Sequence, residues 1–317
     1  MADMTSQPSQ KSPHIGWVGT GRMGYAMAKR LIMAGSNLSV YNRSREKAEP
    51  LAEYGARVVE SLSELASCDL VFTMLSTDDA VMDVFTGGGG LLAGPDLSVR
   101  TVIECSSISV DASAKLREVL HQHNISMLAS PISGNPGVVE AGNASFVVSG
   151  LKSDFDLQRP ALLNIARQAT YVGTGELARI AKICHNVWLG VLTQSLAEVV
   201  VLAEKAGLAR PAFLEFLNHS ALGSTYTRAK TPSWIGLDFS TTFTAPLMRK
   251  DMDLGLDLAD NLDVPMQLAS TTRHFVQTLI NHGHIDCDFS ALLLLQAQSS
   301  GLKLADENRP KDSEPPA

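Results

Sequence analysis

From residue 14 to about residue 173, short apolar runs alternate with stretches whose apolar positions recur every three or four residues. The runs at 15–18, 38–41, 70–75, 101–105 and 126–129 have the length and apolar content of buried strands. Between them, 23–34, 61–66, 78–85 and 110–121 carry helical spacing, and Ser61 with Glu64 forms a capping box. This alternation predicts a parallel sheet covered by helices on both faces, with 145–148 and 170–172 as later strands of the same unit. After Thr174 the pattern changes. Residues 176–206 contain no proline and a single internal glycine, Gly190, and Gly207 stands where a helix would stop. A helix of roughly 30 residues is long for a globular domain. Further helical stretches follow at 211–218, 246–261, 265–281 and 289–299, several opening on proline, which suits a first helical turn.

The most informative local pattern is Gly19-Thr20-Gly21-Arg22-Met23-Gly24, which follows the first strand and opens the first helix. A lone GxGxxG is weak, but here strand, helix and chain position agree on a dinucleotide-binding turn. Gly19 permits the turn, Gly21 lets the backbone approach a pyrophosphate, and Gly24 lets helix and strand pack closely. The helix N-terminus offers N–H groups and the positive end of a dipole to the phosphates. The expected fold is therefore an α/β Rossmann-type parallel sheet domain followed by an all-α domain, joined by a long interdomain helix. The expected boundaries are a disordered tail at 1–13, a dinucleotide-binding domain at 14–173, a helical substrate and oligomerisation domain at 174–301, and a second disordered tail at 302–317. The run of glycines from Gly87 to Gly90 lacks the GKS/T ending of a P-loop and reads as a flexible surface turn.

The end of the second strand bears on which dinucleotide is bound. NAD sites place an acid there for the ribose 2′-hydroxyl. This chain has Asn42-Arg43-Ser44 instead. Asn42 carries no charge to repel a 2′-phosphate, Arg43 can stack on adenine and pair with the phosphate, and Ser44 can donate to it, with Arg45 or Lys47 assisting. NADP(H) is the expected cofactor.

Composition narrows the partners. Lys and Arg total 26 against 33 Asp and Glu, a formal charge of -7, and no long basic run points to nucleic acid. Cys68, Cys105, Cys184 and Cys287 form neither a CxxC pair nor a zinc spacing, so they are expected to be reduced, mostly buried thiols, and no metal is expected. No contiguous apolar run reaches the ~18–20 residues of a membrane span. The polar start lacks the features of a signal or transit peptide. Together these lead to the expectation of a cytoplasmic protein that does not engage a membrane. A helical second domain with apolar faces is expected to form a homodimer or homotetramer.

Taken together, several segments resemble the β-hydroxyacid dehydrogenase family, which includes 3-hydroxyisobutyrate dehydrogenases and glyoxylate/succinic semialdehyde reductases. The resemblance rests on the glycine turn with Asn42-Arg43-Ser44, on Glu104-Cys105-Ser106-Ser107 and on Ser130-Pro131-Ile132-Ser133-Gly134. It continues through Lys182-Ile183-Cys184-His185-Asn186, Lys250-Asp251 and Asp288-Phe289-Ser290-Ala291, and so spans about residues 14–301. It implies that Lys182 is the acid/base and that Asn186 places the substrate. It implies that Ser133 and Gly134 hold the substrate carboxylate, that Ser107 lies near the nicotinamide, and that Met74, Leu75, Phe243 and Lys250 line the cofactor side. Asn135 replaces the family's glycine, so its side chain is expected to narrow the pocket or touch substrate. Lys250 has a second reading as a structural partner of Asp251 or Asp253, and Asp288 reads as a helix cap before Phe289.

The chemistry agrees with these roles. Lys182 and Asn186 are four apart and share one helix face. Oxidising an alcohol requires a base for the hydroxyl proton, and reducing a carbonyl requires the matching acid. A lysine at its reference pKa of about 10.4 is a poor base near neutrality, while burial and an adjacent positive charge both favour the neutral amine. The expected reaction interconverts a small β-hydroxy acid, or a β-hydroxy amino acid, with its carbonyl form. The Lys-x-x-His-Asn pattern is also similar to 6-phosphogluconate dehydrogenases, but Val187-Trp188-Leu189-Gly190 follows where those supply a second acid. His185 then reads as a residue of helix packing or one that supports a site residue from behind. An imine reductase and a non-catalytic NADP-binding scaffold are the remaining alternatives; Lys182 argues against both.

Overall fold

The computed structural model describes residues 13–94 and 97–308. The expected tail at 1–13 lies outside them apart from Pro13, as do residues 309–317. The chain divides into two compact units, Met1–Lys182 and Ile183–Ala317.

The first unit holds one sheet of β1 (His14–Val18), β2 (Asn37–Tyr41), β3 (Arg57–Val58), β4 (Leu70–Thr73), β5 (Thr101–Glu104), β6 (Ser126–Ala129), β7 (Ile132–Ser133), β8 (Ser145–Ser149) and β9 (Gln168–Gly173). Its order is β3-β2-β1-β4-β5-β6-β8-β7, with β9 paired to β8. From β3 to β6 every neighbour is parallel. The sheet is parallel-dominated as expected; the exception is its far edge, where β8 runs antiparallel to β6 and β7. Parallel pairing needs a long crossover. Between β7 and β8 the chain has only α4 (Pro136–Glu140), so it turns straight back, whereas the 14 residues of α5 (Lys152–Ile165) return it to a parallel β8–β9 pair.

Consecutive strand residues point to opposite faces, so each strand fills two cores. Trp17, Phe72, Ile103 and Leu128 pack on one face with Met27 and Leu31 of α1 (Arg22–Met33) and Leu162 of α5. Val18, Val71, Val102 and Met127 pack on the other with Phe85 of α2 (Asp78–Thr86) and Leu116 of α3 (Val110–Gln122). Trp17 and Phe72 stack with ring centroids 5.4 Å apart. The stretch around Ser61 is a 3-10 helix, Leu62–Ser67, held at its start by Glu64, which accepts from the N–H groups of Glu60 and Ser61. The run from Gly87 to Gly90 closes as a turn, with the Gly90 N–H on the Gly87 carbonyl.

The long helix is α6 (Leu177–Lys205), and the division between the units falls within it. It is long and apolar enough to cross a membrane, with a mean hydropathy of 1.5 in its best window; half of that window is buried inside the protein. Counting contiguous apolar runs missed this, because scattered polar residues interrupt an apolar helix without lowering its mean hydropathy much.

The second unit adds α7 (Arg210–His219), α8 (Thr225–Gly236), α9 (Ala245–Asn261), α10 (Gln267–Asn281) and α11 (Leu292–Ser299). A Cβ at Gly190 of α6 would sit 3.0 Å from the Met252 sulfur, and one at Gly255 of α9 would strike the Val187 side chain, so both glycines serve close helix packing. Residues 302–308, part of the expected disordered tail, lie against this unit instead. Buried Arg210 donates to the Ala305 carbonyl, and the Glu307 N–H donates to that of Ile235. A buried guanidinium needs acceptors, and the chain end supplies one. Among the cysteines Cys68 and Cys105 are buried, but Cys184 is exposed and Cys287 half-buried.

Candidate active site

In the sheet unit the strand order reverses between β1 and β4, the position at which open α/β sheets bind ligands. The loop after β1 fills it. Gly19 has φ +96°, its N–H donates to the Tyr41 carbonyl, and its own carbonyl accepts from the Trp17 indole at 2.8 Å. A Cβ at Gly24 would collide with the Gly19 carbonyl oxygen, and one at Gly19 with that of Met74. At Gly21, by contrast, a Cβ would meet nothing within 4 Å. Two of the three glycines are thus required by the chain itself, and the third faces open space. Thr20 is 4% exposed, and its hydroxyl has no hydrogen-bond partner among the described residues. No side chain caps α1 at Gly21. An uncapped helix start, an orphaned buried hydroxyl and an open glycine fit a dinucleotide pyrophosphate.

Asn42 braces this loop. Its Oδ1 accepts from the Thr20 N–H at 2.9 Å and its Nδ2 donates to the Ser44 carbonyl at 2.8 Å. An aspartate could make only the first of these bonds. Arg43 is exposed and, among the described residues, has no ion-pair partner; Ser44 is half-buried beside it. Arg45 forms exposed ion pairs with Glu49 and Glu60. Arg22 is exposed at the start of α1, while Met23 and Met74 pack partly against one core and Leu75 against the other.

The loops after β4 and β5 are tied together. The Leu75 N–H donates to Ser106 Oγ at 2.8 Å, and the Ser106 N–H donates to Glu104 Oε1 at 2.8 Å. Ser107 is half-buried next in line. Glu104 forms a fully buried ion pair with Arg179 of α6, a residue to which the sequence reading gave no role. At the far edge of the sheet Ser133 closes β7, and Gly134, at φ +141°, turns the chain in a conformation that favours glycine. Asn135 has a structural role that was not expected: its Oδ1 accepts from the Val138 N–H at 3.0 Å and caps α4, which leaves its Nδ2 to face other partners.

Lys182 and Asn186 both lie on α6. Asn186 is buried; its Nδ2 donates to Asp251 Oδ2 at 2.5 Å and its Oδ1 lies 2.9 Å from His185 Nδ1. His185 is exposed and does not pack in a core; of its two expected roles it fits the second, a residue that supports the neighbouring amide. Lys250 stands 3.7 Å from Asp251, and Asp253 is held by Arg249 and Arg273, so of the two expected structural partners Lys250 has the first. Phe243 packs edge-on against Phe289. Asp288 caps the 3-10 turn Phe289–Ala291 as expected and does more. It accepts from Lys230 at 2.7 Å, from the Phe243 N–H at 3.1 Å, and from the hydroxyls of Ser290 and Thr242. Burial alone would raise its pKa, but the Lys230 charge and these hydrogen bonds hold the carboxyl below the usual range. Lys230, Arg179 and the contact of Asp251 with Asn186 were not foreseen, because in each case the partner lies far along the chain.

Comparison with known proteins agrees with this arrangement. Residues 14–173 match a family model described as the NAD binding domain of 6-phosphogluconate dehydrogenase. Residues 175–296 match one described as the NAD-binding of NADP-dependent 3-hydroxyisobutyrate dehydrogenase. Glyoxylate/succinic semialdehyde reductase 2 of Arabidopsis thaliana is 30% identical over 88% of this chain and 78% of its own length. The 3-hydroxyisobutyrate dehydrogenase of Pseudomonas aeruginosa is 29% identical over 88% of this chain and 96% of its own length. The solved structure of Mycobacterium tuberculosis 3-hydroxyisobutyrate dehydrogenase with L-serine superposes with a TM-score of 0.80 at 27% identity, covering 90% of this chain and 99% of that one. The chain belongs to the β-hydroxyacid dehydrogenase family and is an NAD(P)-dependent oxidoreductase acting on CH–OH groups.

Proposed function

We propose that the chain prefers NADP(H), that Lys182 is its proton-transfer group, and that its substrate is a short β-hydroxy acid or β-hydroxy amino acid. The observation that carries the proposal is the placement of Lys182 and Asn186 four residues apart on α6, in a chain whose sheet unit holds a loop built for a pyrophosphate. L-serine in the M. tuberculosis structure supports the amino-acid end of this range. The cofactor preference is supported by exposed Arg43 and by the commitment of the Asn42 amide to the loop, with no acid at the end of β2.

Bound nicotinamide would supply the hydride acceptor or donor. Lys182, as the neutral amine, takes the hydroxyl proton during oxidation and returns it from the ammonium form during reduction. Ser133 and the Gly134 N–H hold the carboxylate by hydrogen bonds, without a full positive charge. Asn186, its amide oriented by Asp251, places the reacting carbon. The proposal includes a cytoplasmic homo-oligomer, supported by four free thiols and by Trp188, Val199 and Leu202 exposed along α6.

The test is a panel of short hydroxy acids and β-hydroxy amino acids with NADP+ and with NAD+, followed by NADPH or NADH absorbance. The expected result is turnover of at least one member, with kcat/KM for NADP+ about tenfold or more above that for NAD+. A preference for NAD+, or no turnover across the panel, would contradict the proposal.

A further inference from the structure

The ion pair between Glu104 and Arg179 has the least exposed side chains of any in the sheet unit, at 0% and 1%. Glu104 ends β5, and Arg179 stands in the first turn of α6, three residues before Lys182. Stability is a poor explanation for the pair. Burying two charges costs about several kcal/mol per ion, and a well-packed uncharged pair of similar volume is commonly as stable or more so. The first turn of a helix also disfavours a positive charge.

The destinations of the bonds explain it better. Arg179 Nη1 donates to the Ser106 carbonyl at 2.5 Å, Nη2 to the Glu104 carbonyl at 3.0 Å, and Nε to Ser113 Oγ at 3.1 Å. Glu104 Oε1 takes the Ser106 N–H, and Ser106 Oγ takes the Leu75 N–H. One guanidinium and one carboxylate thus fix both backbone groups of Ser106, the residue before Ser107. Through Ser106 they fix the loop after β4, and through Arg179 the turn of helix that leads to Lys182. A planar five-donor fork can reach several acceptors at set angles, which a lysine cannot.

We propose that Glu104 and Arg179 are positioning residues. They lock the first turn of α6 to the Ser106–Ser107 segment, so that the Lys182 amine and the Ser107 hydroxyl are presented at a constant separation. This rests on the roles assigned above to Lys182 and Ser107. Displacements of about 1 Å in such groups cost on the order of 100-fold in rate.

The test uses the full-length chain with Arg179→Lys, Glu104→Gln and the double substitution Glu104→Gln/Arg179→Met. The double variant removes both buried charges together, which spares the fold where a single change does not. Folding is checked by circular dichroism and thermal denaturation. Local order is read by amide hydrogen exchange over residues 104–109 and 176–182, and NADPH affinity by fluorescence titration. In the folded variants, exchange over these two segments should rise roughly tenfold or more, with the other sheet segments unchanged. kcat should fall about 10- to 100-fold, with substrate KM and NADPH Kd within about threefold of wild type.

A folded variant, the double one included, with wild-type kcat and wild-type exchange over both segments would overturn the proposal. So would a fall in thermal stability spread evenly over the chain with kcat intact. Lys182→Ala, run in parallel, separates the two ideas. Full turnover by that variant would defeat the acid/base assignment, while the exchange data would still judge the clamp.

Discussion

Around residues 19–24 the groups offered to a ligand are backbone N–H groups and a helix end, shaped by glycines. Around Asn186 and Asp288, by contrast, side chains hold one another in place. The first surface is local in sequence, because Gly19 and Gly24 meet within a six-residue segment. The second joins partners 65 residues apart in Asn186–Asp251 and 58 apart in Lys230–Asp288. A site made of backbone tolerates little change in residue volume, and a site made of paired side chains tolerates little change in charge. The two halves of this enzyme should therefore fail in different ways.

The sharpest contrast lies within the glycine loop. Gly24→Ala puts a methyl into the Gly19 carbonyl, so the loop must move; NADPH Kd should rise about 100-fold or more, and the thermal midpoint should drop. Gly21→Ala meets no protein atom, so its midpoint should match wild type while Kd rises about tenfold. Unchanged NADPH affinity in Gly21→Ala would remove the pyrophosphate from this loop. On the side-chain half, Asp288→Ala strands the Lys230 ammonium and should cost about 3–5 kcal/mol by urea denaturation of the second unit. Because the folded-state pKa of Asp288 lies below its unfolded value, its contribution is present above the ordinary aspartate range and lost as pH falls through the lowered value. The wild-type urea midpoint should thus fall below about pH 4, and that of Asp288→Asn should fall less. Arg43→Ala should raise KM for NADP+ about tenfold and leave that for NAD+ within about twofold, as read in steady-state assays. The smallest effect belongs to Asn135→Ala. Loss of the α4 cap should cost about 1 kcal/mol, as read by thermal denaturation.

The same contrast explains what could be read from the sequence. The strands and the glycine turn were legible because hydrophobic period and turn chemistry act over a few residues. Helix α5 was not, because Pro160 interrupts its helical signal, and α8 was hidden in the same way by Pro232. The antiparallel edge was missed because strand direction depends on whether the link before β8 is long enough to cross over. Lys182 and Asn186 were legible as an i, i+4 pair together with the family's motif. The long-range partners of these side chains and their neighbours were not. Nothing near Arg179 in sequence marks it as the partner of Glu104, and nothing near Asp251 shows that it takes the Asn186 amide. The Asn135 cap on α4 was hidden because it becomes visible only once the short helix after Pro136 is known.

The central claim is that the Lys182 amine exchanges a proton with the substrate hydroxyl. It is tested most directly by kcat and NADPH Kd measured on the same preparation of Lys182→Ala. The account predicts a fall in kcat of about 10²- to 10⁴-fold with Kd within about threefold of wild type. A variant that turns over at the wild-type rate with NADPH still bound would contradict it.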